Sequence, residues 1–168
     1  VDGLLFDYLH FYGSYDYVGA SPKWYNHEIR IIRKSDAIYS FRDAQGFQKG
    51  KHQHLNVKPA HACMYHYGWV KEPIAMQRKQ ENFHKLYHPD DWVEKNVVKA
   101  SEFDFSGIDA LKRFNETHPA VMLDRIAKKN WQFDFDLSMS RMSLKNRAKI
   151  LLKNALGIEL GYKNYKLI

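Results

Sequence analysis

Short apolar and aromatic runs, separated by glycine, proline and charged residues, give the first part of the chain the pattern of β-strands. Residues 3–12 and 63–70 are aromatic and aliphatic and end near a glycine, and residues 24–34 have a β-branched centre with charged ends. Runs of this kind are typical of strands buried on at least one face. Residues 38–41 and 55–58 predict two shorter strands, the second of which ends before a proline.

After residue 70 the apolar positions recur at helical spacing. Residues 71–87 predict a helix with Pro73 in its first turn, and further helices are predicted over 106–114, 117–130 and 143–156. The side chains expected on the apolar stripes of these helices are Met76, Phe83, Tyr87, Ile108, Leu111, Phe114, Leu123, Ile126, Ala127, Leu144, Ala148, Leu151 and Ala155.

The pattern therefore predicts the α/β class, or α+β for the piece taken alone. Strands of a mixed sheet occupy residues 1–70, and a helical part occupies residues 71–168. This is not the regular alternation of strand and helix of a complete doubly wound domain. A chain of 168 residues suits one core or one lobe of a larger protein. Its start at Val1, directly before a strand, leads us to expect a piece of a longer protein.

Composition limits the partners and the compartment. The net charge of +7 favours an anionic partner, such as nucleic acid, a phosphorylated substrate or an acidic membrane surface. The single cysteine, Cys63, suits a reducing interior, so we expect a cytoplasmic protein. No run approaches the about 18–20 apolar residues of a membrane span, and no signal peptide is visible. Residues 143–168 carry six basic residues against Glu159 alone, which suits either a solvated helix face or contact with anionic lipid.

Polar residues inside the predicted strands are the first candidates for chemistry. His66 lies in the run 63–70, where a histidine has either a structural role or a role as a ligand. Asp7 and His10 are three residues apart, so they point to opposite faces of their strand. Either one lies at an edge and the other in the core, or one of the two faces a substrate cleft. The spacing of the histidines matches no closed tetrahedral zinc site, and there is only one cysteine.

Three more polar residues lie within a predicted strand or just after one. Glu28 and Arg30 share one face of a strand, where they either pair as neighbours without a chemical role or serve a site. Asp43 follows a short strand and precedes Gly46, a place where a rigid scaffold commonly presents a reactive group.

Several motifs, taken in order, resemble one family. The motifs are GLLFDYLHFYGS at 3–14, WYNHEIRIIR at 24–33, DAQGF at 43–47, YHYGW at 65–69, HPAVMLDRI at 118–126 and GYKNYKL at 161–167. Together they resemble the acceptor-side, C-terminal half of bacterial family 2 glycosyltransferases, which have the GT-A fold. The last two motifs look like the tail of one subgroup. The resemblance covers nearly the whole chain, so it implies a partial GT-A fold here.

The resemblance implies transfer of a sugar from a nucleotide-diphosphate sugar to an acceptor hydroxyl, generally with inversion. The acceptor would be a cell-surface glycan or glycolipid. In the family, a nucleotide-binding half with a metal-binding aspartate motif precedes the part that this chain resembles. The chain alone is therefore expected to be inactive.

The resemblance also implies roles for particular residues. Asp43 is the first candidate for the general base, Glu28 the second and Asp7 the third. His66 is a candidate ligand of a divalent metal, Mn or Mg, whose other ligands would come from the missing half. The remaining candidate substrate-binding residues are His10, Arg30, Gln45, Tyr67, Trp69 and Lys71. Among these, Arg30 or Lys71 would contact phosphate, and Tyr67 and Trp69 would stack on a sugar or a base.

A different class of function is a non-enzymatic basic module that binds nucleic acid or an anionic membrane. No zinc-finger spacing and no aromatic strand of an RNA-recognition sheet is present, which disfavours nucleic acid. The membrane version predicts that residues 143–168 hold the protein at the inner face of the membrane.

Overall fold

The computed structural model describes residues 1–41, 46–97, 100–138, 141–158, 160 and 163–168. These residues form eight strands in one mixed sheet. The strands are β1 (Gly3–Tyr12), β2 (Tyr17–Gly19), β3 (His27–Ile32), β4 (Ile38–Phe41), β5 (Gly46–Lys49), β6 (Gln53–Trp69), β7 (Leu111–Arg113) and β8 (Tyr165–Leu167). The order along the sheet is β4-β5-β6-β1-β2-β7, while β3 pairs with β1 and β8 pairs with β6.

Four α-helices lie in the described ranges. They are α1 (Pro73–Tyr87), α2 (Asp90–Asn96), α3 (Leu123–Ala127) and α4 (Leu144–Leu156). Short 3-10 turns cover Phe105–Gly107 and Ala120–Met122. None of the described helices combines the length and the apolar character that crossing a bilayer requires.

The predicted α/β class is confirmed, and several predicted elements are confirmed with it. The strands over 3–12 and 38–41 match β1 and β4, and Pro73 opens α1 as expected. The strand expected over 24–34 is shorter and covers His27–Ile32. The two strands expected over 55–58 and 63–70 are one continuous strand, β6, which runs through Pro59.

The helix predicted over 106–114 is wrong. Asp104 caps a 3-10 turn by accepting a hydrogen bond from the Ser106 N–H at 2.8 Å, and the chain then enters β7. In β7, Leu111 pairs with Gly19 of β2. Pairing with a distant strand outweighs the helical spacing of Ile108, Leu111 and Phe114, because local propensity is a weak preference.

Some of the predicted apolar stripes are wrong as well. In α1 only Met76 and Gln77 are buried, whereas Phe83 and Tyr87 are exposed and contact each other with ring centroids 4.9 Å apart. The helix expected over 117–130 is a 3-10 turn followed by the short α3, in which Leu123 is exposed. A helix of five residues offers about one and a half turns, too few to bury a continuous stripe.

The chain divides into two units, each made of separate segments. Unit 1 contains Val1–Leu9, Ser21–His66 and Met142–Ile168, and unit 2 contains His10–Ala20 and Tyr67–Arg141. The division expected from the sequence, 1–70 and 71–168, stays a prediction about the organisation of a larger protein.

Unit 1 is built on an aliphatic core beneath paired strands. The buried side chains are Leu5, Ile29, Leu55 and Val57, with Ile32, Ile38, Phe47 and Tyr165 packed against them. β1 and β3 are antiparallel and place Leu5 opposite Ile29, and the parallel strand β8 places Tyr165 opposite Leu55. Asp2 fixes the start of β1, because its carboxylate accepts from Lys49 Nζ at 2.5 Å and from the Asn56 N–H at 2.7 Å. These two bonds hold the pKa of Asp2 below its ordinary value.

Unit 2 is built on aromatic rings. Phe11 is fully buried, stacks on Tyr67 with centroids 4.6 Å apart and meets Phe114 edge-on at 4.9 Å. Tyr12 packs edge-on against Phe105, and its hydroxyl donates to the Phe105 carbonyl at 3.4 Å. Burial raises the pKa of Tyr12 to about 12. The aromatic residues of β1 thus continue into unit 2 as its core.

Gly13 ends β1 in a conformation that only glycine adopts easily, with φ at +71°. A Cβ atom at this position would lie 2.6 Å from three carbons of the Phe133 ring. The Gly13 carbonyl also accepts a hydrogen bond from Trp131 Nε1 at 2.9 Å, which further fixes the turn. Glycine is therefore required here for backbone conformation and for space.

We expect Gly13→Ala to lower the free energy of unfolding by about 3 kcal/mol, because it adds a left-handed backbone cost to a steric clash. Gly50→Ala is the matched control, since Gly50 has φ +51° but no atom lies within 4 Å of the place that a Cβ would take. The control should cost only about 1 kcal/mol. Urea denaturation followed by circular dichroism measures both, and equal losses would contradict the steric role of Phe133.

Candidate functional site

The side chains of β3 and β1 in unit 1 meet on one face of the sheet. Phe6 lies opposite Glu28 in the register, and the Tyr8 N–H donates to the Asn26 carbonyl at 2.8 Å. Phe6 and Tyr8 share a face because strand side chains alternate, so Tyr8 is the diagonal neighbour of Glu28. Arg30 follows Glu28 by two residues, and its guanidinium contacts both Glu28 and Tyr8. The register thus brings a carboxylate, a guanidinium and a phenol together.

Arg30 links the other two groups by hydrogen bonds. Its Nη2 atom lies 2.5 Å from Glu28 Oε2 and also donates to the Tyr8 hydroxyl. The guanidinium carbon lies 5.1 Å from the centre of the Tyr8 ring, within the range of a cation–π contact. The Glu28 side chain is 10% exposed and that of Arg30 is 39% exposed, so solvent reaches the arginine more easily than the carboxylate.

Burial has the largest effect on the acidity of this carboxylate. It raises the pKa of Glu28, and the nearby charge of Arg30 together with hydrogen bonds from Tyr8 and Arg30 opposes the rise. Burial likewise raises the pKa of Tyr8, and it raises that of Tyr25 to about 12. Both tyrosines therefore remain neutral near pH 7, while Glu28 titrates closer to neutrality than an exposed glutamate does.

Two more rings flank Tyr8. The Tyr25 ring centroid lies 5.1 Å from that of Tyr8, and the His66 centroid lies 6.0 Å from it. We call Tyr8, Tyr25, Glu28, Arg30 and His66 the Tyr8 cluster. It contains three of the residues predicted from the sequence, Glu28, Arg30 and His66. Sequence reasoning missed Tyr8 and Tyr25, whose only signal was their place in the aromatic runs 3–14 and 24–33.

Asp7 lies on the other face of β1 from Tyr8. It is paired in register with His27, whose Nε2 atom lies 3.2 Å from Asp7 Oδ1. The Asp7 side chain is 66% exposed. The structure therefore separates Asp7 from Glu28, although both were candidates for one base.

The other predicted residues in the described ranges belong to unit 2. His10 is buried. The Tyr67 hydroxyl lies 2.8 Å from His118 Nδ1, and the Tyr67 ring stacks on Phe11. Burial lowers the pKa of His118, so the imidazole is neutral near pH 7. Tyr67 is thus engaged in the aromatic core of unit 2, where sequence reasoning placed it against a sugar or a base.

Trp69 and Lys71 lie further along the same part of unit 2. Lys79 Nζ lies 5.6 Å from the Trp69 ring centre and donates to the Gly68 carbonyl at 2.5 Å. Burial, with a smaller contribution from the charge of Lys71, lowers the pKa of Lys79. Lys71 lines a cleft of about 470 Å³ together with Arg125, Lys128 and Trp131, but Glu72 and Asp124 line it too. The cleft is therefore mixed in charge.

Two predicted residues, Asp43 and Gln45, lie outside the described residues. The first-ranked candidate for the base is one of them. Across the described ranges, no three His, Cys, Asp or Glu side chains are grouped closely enough to hold a metal ion.

Comparisons with protein-family models, with curated proteins and with solved structures each found no match. The resemblance to family 2 glycosyltransferases therefore stays a prediction from the motifs.

We expect Arg30→Gln to raise the pKa of Glu28 further, because the substitution removes a positive charge and a hydrogen bond that favour the ionised carboxylate. The loss of unfolding free energy in the variant should grow as pH rises through this pKa, since Arg30 stabilises only the ionised form. Carbon-13 NMR of the glutamate carboxyl measures the pKa. The control is Arg33→Gln, which replaces an exposed arginine just beyond β3. An unchanged pKa of Glu28 in Arg30→Gln would contradict the pairing of Arg30 with Glu28.

Proposed function

We propose that this chain carries the acceptor-side chemistry of a glycosyltransferase, which moves a sugar from a nucleotide-diphosphate donor to an acceptor hydroxyl, with inversion. The donor is a nucleotide sugar, and the acceptor is a glycan or glycolipid of the cell envelope. The observation that carries the proposal is the buried Glu28 carboxylate, whose pKa is raised by burial and which is held by Arg30 beside two tyrosine rings.

The chemistry of the transfer calls for such a group. The attacking hydroxyl must lose its proton, and a general base is most effective when its pKa lies near the working pH. Burial moves Glu28 in that direction from the ordinary value of 4.5, and Arg30 keeps the ionised form accessible and fixes its orientation. In this proposal the Glu28 carboxylate accepts the proton of the acceptor hydroxyl.

The rings of the Tyr8 cluster suit a sugar acceptor. Aromatic faces provide apolar contact area, and a small number of placed polar groups give orientation, which is the usual composition of a small-molecule site. Tyr25 is 49% exposed and lies next to Tyr8, so part of its surface can contact a ligand. The Tyr8 hydroxyl and the Arg30 guanidinium add hydrogen-bonding groups at the same place.

Asp43 remains the first candidate from the resemblance, and Glu28 is the candidate that the described contacts support. One pair of variants in the full-length protein decides between them. We expect Glu28→Gln to lower kcat by about a hundredfold with donor binding unchanged, because a general base contributes at least that factor. Radiolabelled sugar transfer measures kcat, and binding of the nucleotide sugar is measured by calorimetry.

Asp36→Asn, an exposed aspartate in a turn, is the control and should leave kcat unchanged. The pH profile gives a second readout, because the acid limb of kcat should lie above the ordinary glutamate pKa and disappear in Glu28→Gln. Near-normal turnover in Glu28→Gln with a large loss in Asp43→Asn would return the role of base to Asp43.

The metal dependence implied by the resemblance is a separate proposal. If His66 contributes a ligand beside groups from the rest of the enzyme, His66→Ala should raise the Mn²⁺ or Mg²⁺ concentration needed for half-maximal activity. His54→Ala, an exposed histidine on the same strand β6, is the control. An unchanged metal titration would leave His66 with a packing role next to Tyr8.

We also propose that the protein works in the cytoplasm, at the inner face of the membrane where lipid-linked acceptors are found. The single cysteine and the basic residues of 143–168 support this location. The net positive charge would also suit a nucleic-acid partner, which is the alternative to the membrane. Steeply salt-dependent binding of oligonucleotides, without binding of a nucleotide sugar, would favour it.

A further inference from the structure

The helix α4 is well formed although its burial is slight. Ser143 caps its first turn by accepting a hydrogen bond from the Asn146 N–H at 3.3 Å. At the other end, Gly157 adopts φ +66° and its N–H donates to the Lys153 carbonyl at 2.9 Å. All 13 residues of α4 lie in the described part of the chain, and none of them is buried. Its ends are thus fixed by local capping, which satisfies the terminal N–H and carbonyl groups.

The apolar residues of α4 lie on one side of the helix. At 100° per residue, six of them fall within an arc of about 140°. These residues, which we call the apolar arc, are Leu144, Ala148, Leu151, Leu152, Ala155 and Leu156. Every one of them is exposed, and Leu144, Leu151 and Leu156 are 83%, 68% and 63% exposed.

The partly covered residues of α4 are Asn146, Lys149 and Ile150. Two of these three are polar, which reverses the usual arrangement of a surface helix, whose apolar side faces the core. The apolar arc is therefore the side of α4 that faces solvent. Beyond Gly157, Ile158 and Leu160 are exposed as well.

The charges of α4 all have one sign. The helix contains Lys145, Arg147, Lys149 and Lys153 and no acidic residue. On the helical wheel Lys145 lies just inside the apolar arc, next to Leu156, and Lys149 and Lys153 lie beyond that edge. Arg147 lies beyond the opposite edge. The apolar arc is thus bordered by cations on both sides.

We propose that α4 lies in the interface of an anionic lipid membrane, with the apolar arc among the acyl chains and its cations at the headgroups. An amphipathic helix with leucines on one face and lysines or arginines at its borders binds such a surface through both groups of residues. A second copy of this chain is a poorer occupant, because two helices with four cations each would repel. The inference deepens the proposed location at the inner face of the membrane and does not depend on the proposed sugar transfer.

Sedimentation of the protein with vesicles tests the proposal. Vesicles of equal parts phosphatidylglycerol and phosphatidylcholine should bind the protein, and vesicles of phosphatidylcholine alone should bind it much more weakly. Binding to the mixed vesicles should also weaken as salt is raised, because salt screens the attraction of lysine for the anionic surface.

Leu151→Gln with Leu156→Gln should weaken binding about a hundredfold, or about tenfold for each leucine withdrawn from the acyl boundary. Both side chains are exposed, so the fold should persist, as circular dichroism can verify. Leu86→Gln with Leu137→Gln changes two exposed leucines outside α4 and should leave binding unchanged.

Charge is tested in the same way. Lys145→Gln with Lys153→Gln should weaken binding to mixed vesicles about 25-fold, or about fivefold for each charge. Lys34→Gln with Lys51→Gln removes the same net charge from exposed positions elsewhere and should have little effect.

Equal binding to neutral and mixed vesicles, or equal losses in the α4 variants and their controls, would overturn the proposal. A concentration-dependent dimer in the absence of lipid, abolished by Leu151→Gln with Leu156→Gln, would overturn it too and would assign the apolar arc to a second copy. Loss of sugar transfer without loss of vesicle binding would reject only the proposed enzymatic function.

Discussion

The register of β1 against β3 is the constraint on which unit 1 depends. It places Leu5 opposite Ile29 in the aliphatic core and Phe6 opposite Glu28 on the other face. Because strand side chains alternate, a slip of one residue would remove Leu5 from the core and turn Tyr8 away from Glu28. The hydrophobic effect on one face thus fixes the geometry of the polar cluster on the other. A stable core and a positioned carboxylate are two consequences of one pairing.

The Tyr8 cluster shows how burial and pairing act against each other on one group. Removing the Glu28 carboxylate from water disfavours its charge, and the arginine 2.5 Å away favours it. Burial has the larger effect, so the pKa rises in spite of the ion pair. A group balanced in this way changes its charge in response to small changes around it, which is a property expected of groups that move protons.

The two units reach stability by different means. Unit 1 relies on aliphatic side chains between strands, whereas unit 2 relies on rings that meet edge-on or stacked, from Phe11 and Tyr12 to Phe133. In unit 2 the close approach of Phe133 requires a glycine at position 13. The helix α4 of unit 1 differs from both cores, because its capping residues fix its ends while its apolar arc stays exposed. Its stability as a helix is therefore local, and its apolar surface has no partner among the described residues that would cover it.

The sequence by itself determined the features that depend on neighbouring residues. The aromatic and aliphatic run of β1, the proline at the start of α1 and the helical spacing over 143–156 are local signals, and the structure confirms those elements. The shared face of Glu28 and Arg30 also follows from their offset of two. Only the tertiary structure decided what depends on pairing across the chain. It showed that residues 111–113 form a strand against β2, that β6 is continuous, and that His66 lies beside Tyr8 while Asp7 lies on the other face. Strand partners distant in sequence leave no periodic signal, because their pairing energy comes from contacts that no local window contains.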